Sequence, residues 1–308
     1  SEPSFLNRID GLLSEFDPEL VWCHFSFCWP AALCASTKGI PTVVRSVYYA
    51  PTHYLQEHQN SHGLTKWPRY IGKLISERRA LSTSTVLAAI TPDEEQIYQD
   101  MSDGAKVKLL PLLSLQNMFE NTHETNSIRH HSVIRVVLMG ASYRIQHNLR
   151  ALDFLVTKLI PIVRAKCPEK FRFHVVGTKV PDELLALRAD DLQFEGYVPD
   201  LDSMLQQVDI AIAPWISGAG MQQKLFEPLC RGIATVTHTH ALAGYPFIDD
   251  RHVLLADGAE EFAAQLIRLL DNPLRVRIGQ RGRERAKTLF GPKQMNAYLE
   301  EILRTACQ

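Results

Sequence analysis

The sequence predicts an α/β protein with two domains, each built on a parallel sheet, and with the first domain incomplete. The chain has 308 residues, which corresponds to about two domains. Short apolar runs with strand character alternate with longer helical patterns almost throughout, as in doubly wound sheets, where helices connect parallel strands. Fewer of these runs lie in the first half of the chain than in the second, so we expect a smaller first sheet.

The first half is predicted to hold a small parallel sheet. Its strand-like runs are 20–25, 41–47, 85–91 and 107–113. Residues 1–19 have the pattern of a helix that leads into a strand in the middle of a sheet. A sheet of this kind would expose an edge, which proteins normally avoid. We therefore expect either a fragment or a partner chain that covers the edge of the first sheet.

One helix start in the first half is well marked. Thr91 has the character of an N-cap, Pro92 stands at the first helical position and Glu94 follows at the capping-box position. In a capping box the threonine side chain bonds the third amide and the glutamate bonds back to the amide of the threonine. We expect both halves of this arrangement.

The second half is predicted to be a complete doubly wound domain. Its strand-like runs are 133–140, 171–177, 192–198, 208–214, 234–238 and 252–256. The polar stretch around 119–131 lacks apolar periodicity and is the expected linker. The predicted first domain is thus 1–120, the linker 121–132 and the second domain 133–290.

Composition excludes several classes of protein. The net charge of −1 argues against nucleic-acid binding, which normally needs a clearly basic domain. No apolar run approaches the roughly 20 residues of a membrane span. The six cysteines form no CxxC pair, so neither a zinc site nor a disulfide framework is indicated. We expect a cytoplasmic protein.

The segment 217–236 carries the strongest functional signal. It follows a buried strand and opens with Gly218, Ala219 and Gly220, whose small side chains let a ligand approach the backbone. A helix N-terminus behind them favours a phosphate. Lys224 adds a positive charge, and Glu227 can accept hydrogen bonds from a sugar diol. The arrangement is typical of a nucleotide-sugar donor site.

Several sequence blocks resemble one known family. From about Val133 to the C-terminus, LMGASYRIQHNLRAL, FHVVG, FEGYVPDLDSMLQQVDIAIAPW and GAGMQQKLFEPLCRGIATVTH are similar, in order and spacing, to the C-terminal domain of retaining glycosyltransferases of family four (glycosyl transferases group 1). VVRSVYYAPTHYLQEH and ERRALSTSTVLAAITPDEEQIY resemble the rear part of the acceptor domain. The resemblance implies the GT-B architecture of two facing Rossmann-like domains, with 291–308 as a terminal helix that crosses back to the first domain.

The chain departs from the family pattern in three places. No strand with a glycine-rich loop corresponds to the usual start of the acceptor domain. Many members carry two glutamates eight positions apart; the earlier position here is Ala219, so that only Glu227 remains. Val47 and Tyr48 stand where a subgroup has His-Asn. The histidine credited with chemistry on the acceptor side is therefore missing from its expected place.

The resemblance implies roles for the residues of the donor side. Glu227 would bind the ribose hydroxyls, although a glutamate in the first turn can also simply stabilise its helix. Lys224 would neutralise the diphosphate, the alternative being a solvated lysine. The other implied donor-binding residues are Gly140, Arg144 and Asn148 in one strand-to-helix loop, Gly177, Tyr197 and Val198 near the base, and the loop glycines Gly218 and Gly220. Arg144 as a surface residue and Tyr197 as ordinary packing remain the alternatives.

The catalytic candidates are weaker. His24 and Arg45 end strands that should face the cleft, but a lone histidine at a strand end is more often structural. His238 and His240 would share one face of a strand without a third ligand, so we expect no metal site. The family analogy likewise implies a metal-independent reaction without a cofactor beyond the donor substrate.

The stretch 66–79, KWPRYIGKLISERR, combines five basic residues with interleaved aromatic and aliphatic ones. Such segments can lie on anionic membrane surfaces, which would suit peripheral contact with the inner membrane face and a lipid-linked acceptor. A partly packed helix with a solvated basic edge is the alternative, and we prefer it.

The sequence thus predicts a retaining hexosyltransferase that moves a sugar from a nucleoside diphosphate sugar to a glycan or lipid-linked glycan. Two alternatives stay open. One is a non-catalytic or regulatory subunit that binds a nucleotide sugar, which the missing glycine loop favours. The other is a nucleotide-sugar epimerase of the same fold, which would need acid and base residues in the cleft.

Overall fold

The computed structural model describes residues 3–57, 66–102, 106–119, 132–215 and 217–308. Within these ranges the chain forms two sheets, one of four strands and one of six, and all strand pairs are parallel. The predicted fold class is confirmed. Most of the predicted linker, 121–131, lies outside the described residues.

The first domain has its four strands in sequence order, with β1 at one edge. The strands are β1 Val21–His24, β2 Thr42–Arg45, β3 Val86–Ala89 and β4 Val107–Leu109. The helices are α1 Pro3–Phe16, α2 Trp29–Thr37, α3 Ala50–Glu57, α4 Lys66–Thr83 and α5 Pro92–Asp100. Each strand lies inside a predicted run. The expectation that another chain covers the free edge of β1 stays a prediction.

The second domain has the strand order β10-β9-β8-β5-β6-β7. Its strands are β5 Ile134–Ser142, β6 Phe171–Thr178, β7 Leu192–Gly196, β8 Ile210–Ala213, β9 Ala234–Thr237 and β10 Leu254–Leu255. Its helices are α6 Gln146–Asp153, α7 Ile160–Lys166, α8 Asp182–Leu185, α9 Leu201–Leu205, α10 Gln223–Cys230, α11 Ala259–Arg268 and α12 Asn272–Phe290, with a π-helical segment, Phe154–Leu159, joining α6 to α7. The topological switch point lies between β5 and β8, where open α/β sheets bind ligands.

The last helix, α13 (Pro292–Ala306), packs on the sheet of the first domain. Ile302 and Ala306 are buried there against Val43, Val86 and Leu110. The end of the chain therefore ties the two domains together through an apolar contact.

The predicted start of α5 is half right. Thr91 is the N-cap, its side chain accepts a hydrogen bond from the Glu94 amide at 3.2 Å, and Pro92 occupies the first turn. The second half of the capping box was wrong. The Glu94 carboxylate turns away from Thr91 and accepts hydrogen bonds from the Tyr49 amide, which lies after β2, and from the Gly220 amide in the second domain. Tyr49 and Gly220 are both buried, and leaving either amide unpaired would cost about 1–3 kcal/mol.

A glycine is required where β6 ends. Gly177 has a φ of +133°, and a Cβ placed on it would lie 2.0 Å from the Gly140 carbonyl oxygen. The buried Tyr143 ring closes the same space, and its hydroxyl donates to the Val176 carbonyl at 3.0 Å. The ends of β5 and β6 are thus packed too tightly for any side chain at position 177.

Gly177→Ala is therefore expected to destabilise the fold by about 3 kcal/mol, because the methyl group collides with rigid backbone in a strained conformation. Urea unfolding measures the difference. Gly11→Ala is the control: nothing lies within 4 Å of its added Cβ in α1, and the change should be neutral or slightly stabilising. Equal stability of Gly177→Ala and the native protein would contradict this packing.

Candidate nucleotide-sugar site

The carboxyl ends of the strands of both sheets meet in a cleft between the domains. A cavity of about 170 Å³ lies there. It is lined by residues of both domains, among them Tyr49, Gln56, Thr91, Glu94, Trp215, Ser217, Gly218, Gly220 and His240. The loop between β8 and α10, which carried the strongest sequence signal, forms one wall of this cavity.

Lys224 lies at the start of α10, against the Trp215 ring that lines the cavity. Its ammonium group donates a short hydrogen bond to the Asn148 side-chain oxygen and lies 4.1 Å from the centroid of the Trp215 ring. Asn148 is itself buried and fixed by a hydrogen bond to the Ser142 carbonyl. Burial lowers the pKa of Lys224 to about 7. Two predicted donor residues that are far apart in sequence are thus brought into contact, and the lysine would gain from an anionic ligand.

A histidine near this lysine, His147, is paired with a second histidine from the first domain. His147, in the first turn of α6, has its pKa lowered to about 4 by burial and by the charges of Lys224, His53 and Arg150. Its ring centroid lies 6.5 Å from that of His53, which comes from α3 of the first domain. His53 in turn packs on Tyr48 at 4.9 Å. The cluster therefore contains imidazoles from both sides of the cleft.

The loop glycines approach the first domain very closely. Gly220 has a φ of +75°, and a Cβ there would lie 2.5 Å from the Val47 carbonyl oxygen. Its amide donates to Glu94 at 2.9 Å, and the Gly218 amide donates to Gln56 at 2.7 Å. Both amides are thus paired with side chains of the first domain. The small residues permit a close approach of backbone, as predicted, but in this structure the approaching group is the other domain.

Glu94 is the least expected member of the site. One carboxylate oxygen accepts both the Tyr49 amide at 2.7 Å and the Gly220 amide, while the other oxygen is buried without a hydrogen-bond partner. Burial raises the pKa of Glu94 to about 7, although the two amides act in the opposite direction. The residue joins the two domains at the donor loop and lines the cavity.

Glu227 lies in α10 with its side chain buried. Arg231, one turn later, donates to the Glu227 carboxylate at 3.2 Å and also pairs with Asp202 of α9. The loop that holds Tyr197 and Val198 leads directly into α9, so the Arg231 pair brings this loop towards Glu227. Tyr197 is 77% exposed, which leaves its ring face open for stacking.

The remaining predicted donor residues have different environments. Gly140 and Gly177 pack against the Tyr143 ring. Arg144 is exposed on the loop after β5. Their assignment to the donor stays a prediction.

The two predicted catalytic residues do not meet in the cluster around Lys224. His24 is exposed at the end of the edge strand, with its ring centroid 6.5 Å from that of Trp22. Arg45 is buried and donates to the Pro111 carbonyl at 2.8 Å, and burial lowers its pKa. Arg45 thus packs inside the first domain, close to where β4 ends.

The basic stretch 66–79 forms the greater part of α4. Trp67, Ile71 and Ile75 are 62%, 49% and 51% exposed, and their spacing of four residues puts them along one side of the helix. The apolar residues are therefore less packed than the preferred interpretation assumed. Among the described residues, no helix combines the length and the apolarity that a bilayer span requires. Peripheral membrane contact stays a prediction.

Several solved structures share the fold of this chain. Over 98% of its length the chain is similar to sucrose-phosphate synthase from Thermosynechococcus elongatus, with 16% identity, a TM-score of 0.72 and 77% of that chain covered. HepE from Anabaena, solved with UDP, gives 12% identity and a TM-score of 0.72, and the match covers 97% of this chain and 82% of HepE. A mutant of TarM from S. aureus, solved with fondaparinux, alpha-GlcNAc-glycerol and UDP, gives 12% identity and a TM-score of 0.71. This match covers 98% of this chain and 59% of TarM. The fold is that of the GT-B glycosyltransferases.

Residues 134–272 match the family model for Glycosyl transferases group 1. This range covers most of the second domain, including Lys224, Asn148 and Glu227. The match agrees with the resemblance to glycosyl transferases group 1 over the domain that carries the predicted donor residues. A search of curated proteins by sequence gave no match.

Proposed function

We propose that the protein transfers a sugar from a nucleoside diphosphate sugar to a carbohydrate or lipid-linked acceptor with retention of configuration. One observation carries the proposal: the half-buried ammonium group of Lys224, fixed by Asn148, lies at the start of α10 against Trp215, a residue of the cavity between the domains. A cation and a helix N-terminus together form a site for a diphosphate.

The chemical contribution of Lys224 is electrostatic. As the bond between the sugar and the diphosphate breaks, negative charge grows on the leaving group, and a cation already in position stabilises it. With its pKa near 7 in the unliganded protein, the lysine is partly neutral. An incoming diphosphate favours its protonated form, so that donor binding restores the charge that the reaction needs. We propose that Lys224 and the helix N-terminus supply this charge without a divalent metal.

The nucleoside would lie on the other side of α10. Glu227 supplies a carboxylate for the ribose hydroxyls, and Tyr197 and Val198 supply an exposed ring and a backbone edge for the base. In the unliganded protein Arg231 holds the Glu227 carboxylate. Arg231 keeps a second partner in Asp202, so that the glutamate can turn to the ribose without stranding a buried arginine.

Closure of the cleft would exclude water from the donor. Glu94 and Gln56 connect the first domain to the loop amides of Gly220 and Gly218, which would otherwise be open to solvent or to ligand. Since water competes with the acceptor for the activated sugar, a closed cleft favours transfer over hydrolysis. His53, in the cluster of imidazoles, is the first-domain group that we assign to the acceptor proton.

A nucleotide-sugar-binding protein without turnover is the second candidate. The pairing of both loop amides with first-domain side chains favours it, because a donor sugar would have to displace Glu94 or Gln56 to reach them.

Turnover separates the candidates. The protein is incubated with UDP-, GDP-, ADP- and dTDP-sugars and candidate glycan acceptors, and free nucleoside diphosphate is measured. Release of nucleoside diphosphate that depends on the acceptor supports a transferase. If NMR shows that the anomeric configuration of the product equals that of the donor sugar, the transferase is a retaining one. Binding without release would leave the non-catalytic protein, and conversion of the donor to its epimer without an acceptor would establish an epimerase.

A further inference from the structure

A second cavity, of about 460 Å³, opens in the first domain. It lies at the carboxyl ends of β1 and β2, beneath the first half of α4. Its lining includes Phe25, Phe27, Tyr48, Arg69 and Lys73.

The described lining of this cavity is positively charged. Arg69 and Lys73 stand one turn apart on α4 and face the cavity together. The nearest acid on the same helix is Glu77, one turn further on. Its buried carboxylate is already used by the Ser26 hydroxyl at 2.7 Å, the Tyr98 hydroxyl at 2.6 Å and the Ala50 amide at 3.2 Å. Within the described cavity lining the two cations have no carboxylate partner. The Lys73 ammonium group also lies 5.7 Å from the centroid of the Tyr54 ring and interacts with the charge of Glu77, and an anion in the cavity would pair with both cations.

An aromatic platform borders the same cavity. The rings of Phe25 and Phe27 are stacked with a centroid distance of 5.0 Å and an interplanar angle of 16°, and they are 36% and 62% exposed. Phe25 has a φ of +71°, a strained backbone conformation for a bulky residue. An exposed pair of aromatic rings next to two cations suits a ligand with an anionic end and a ring or apolar chain.

The cavity adjoins the donor loop. Tyr48 lines it, and the Tyr48 Cβ lies 3.1 Å from the position that a Cβ on Gly220 would take. A molecule in this cavity would thus lie next to the loop that precedes Lys224, on the side of the first domain.

We propose that this cavity is the acceptor site and that it selects an acceptor with a phosphate or diphosphate group. Arg69 and Lys73 bind the phosphate, and the Phe25–Phe27 pair holds the sugar ring or apolar chain attached to it. The inference rests on the proposed transferase function and adds the chemical class of the acceptor. A soluble sugar phosphate and a lipid-linked phosphate share this chemistry.

The test uses decyl phosphate and inorganic pyrophosphate as probes, with decyl glucoside as the neutral counterpart of the first. Titration calorimetry is carried out in an excess of UDP, GDP, ADP and dTDP, so that the diphosphate site near Lys224 is filled. The test variant is Arg69→Gln with Lys73→Gln. The control is Arg78→Gln with Arg79→Gln, which removes the same charge from exposed positions of the same helix outside the cavity lining.

The native protein should bind decyl phosphate and not decyl glucoside. The test variant should bind it about tenfold more weakly, since two ion pairs are lost, whereas the control should bind it like the native protein. If the native protein binds pyrophosphate as strongly as decyl phosphate, the acceptor is a soluble phosphorylated compound. If it binds decyl phosphate and not pyrophosphate, the acceptor is a lipid phosphate.

Equal affinities of the test variant and the control, or no binding of either anion by the native protein, would overturn the inference. Nucleotide-sugar binding is measured on the same variants. If it persists while anion binding fails, the acceptor inference is wrong and the transferase function stands. If the native protein binds no nucleotide sugar, the proposed function itself fails.

Discussion

Replacing Lys224 by methionine is expected to lower kcat/KM for sugar transfer by about 100- to 1,000-fold, the usual effect of removing one preorganised group that stabilises transition-state charge. Methionine keeps the length and the contact with Trp215 but brings no charge to the diphosphate. Release of nucleoside diphosphate in the presence of acceptor measures the loss. Melting temperature checks the fold.

Lys158→Met is the matched control, because Lys158 is exposed on the π-helical segment and should keep full activity. Activity of Lys224→Met within about threefold of the native protein would show that the diphosphate charge is stabilised elsewhere, since an electrostatic role of this kind is worth far more.

The same lysine should give donor binding a pH dependence. Burial lowers the pKa of Lys224 to about 7, so the unliganded side chain loses its proton as the pH rises through this value. A diphosphate prefers the ammonium form, and donor affinity should therefore be constant below pH 7 and fall above it. The fall should be absent in Lys224→Met.

Removing the Glu94 carboxylate is the second change with a large expected effect. Glu94→Ala leaves the amides of Tyr49 and Gly220 without their acceptor. Since each unpaired buried amide costs about 1–3 kcal/mol, we expect a loss of about 3 kcal/mol in stability. Contact between the domains at the donor loop should weaken with it, so donor-dependent hydrolysis by water should rise relative to transfer. Urea unfolding and a hydrolysis assay measure the two effects.

Glu94→Gln separates charge from shape. Because the pKa of Glu94 is raised in the fold to about 7, the folded state binds more protons than the unfolded state between the ordinary glutamate pKa and pH 7. The stabilising contribution of this group is therefore present at low pH and is lost as the pH rises towards 7. Glutamine does not ionise, so Glu94→Gln should gain stability relative to the native protein between pH 5 and pH 8. A constant difference in melting temperature over that range would contradict the raised pKa.

The strands and the donor segment could be predicted from sequence because their signals are local. Each strand is a short apolar run between polar or turn residues, and the Gly218–Glu227 segment carries its small residues, cation and acid within ten positions. The contact between Lys224 and Asn148 follows from topology, since β5 and β8 are neighbours in the sheet and their following loops meet at the same edge.

The contacts between the domains could not be predicted in the same way. Glu94 fitted a capping box because its nearest neighbours in sequence suggested one, yet its partners lie 45 and 126 residues away. Gly220 is required by the Val47 carbonyl of the other domain, and no local pattern shows this. His147 was not among the predicted site residues, and its place directly before Asn148 in the predicted phosphate loop is the sequence signal that could have pointed to it.

The central claim, that the cleft beside Lys224 and Glu227 binds a nucleotide sugar, is tested most directly by thermal stabilisation with UDP-, GDP-, ADP- and dTDP-sugars. A ligand at 100 times its dissociation constant adds about 2.7 kcal/mol to stability. We expect the sugar of one nucleotide to raise the melting temperature of the native protein and of the surface control Glu300→Ala. The melting temperature of Glu227→Ala should be the same with and without this ligand. A shift of equal size in Glu227→Ala, or no shift of the native protein with any of the four, would contradict the assignment of this site.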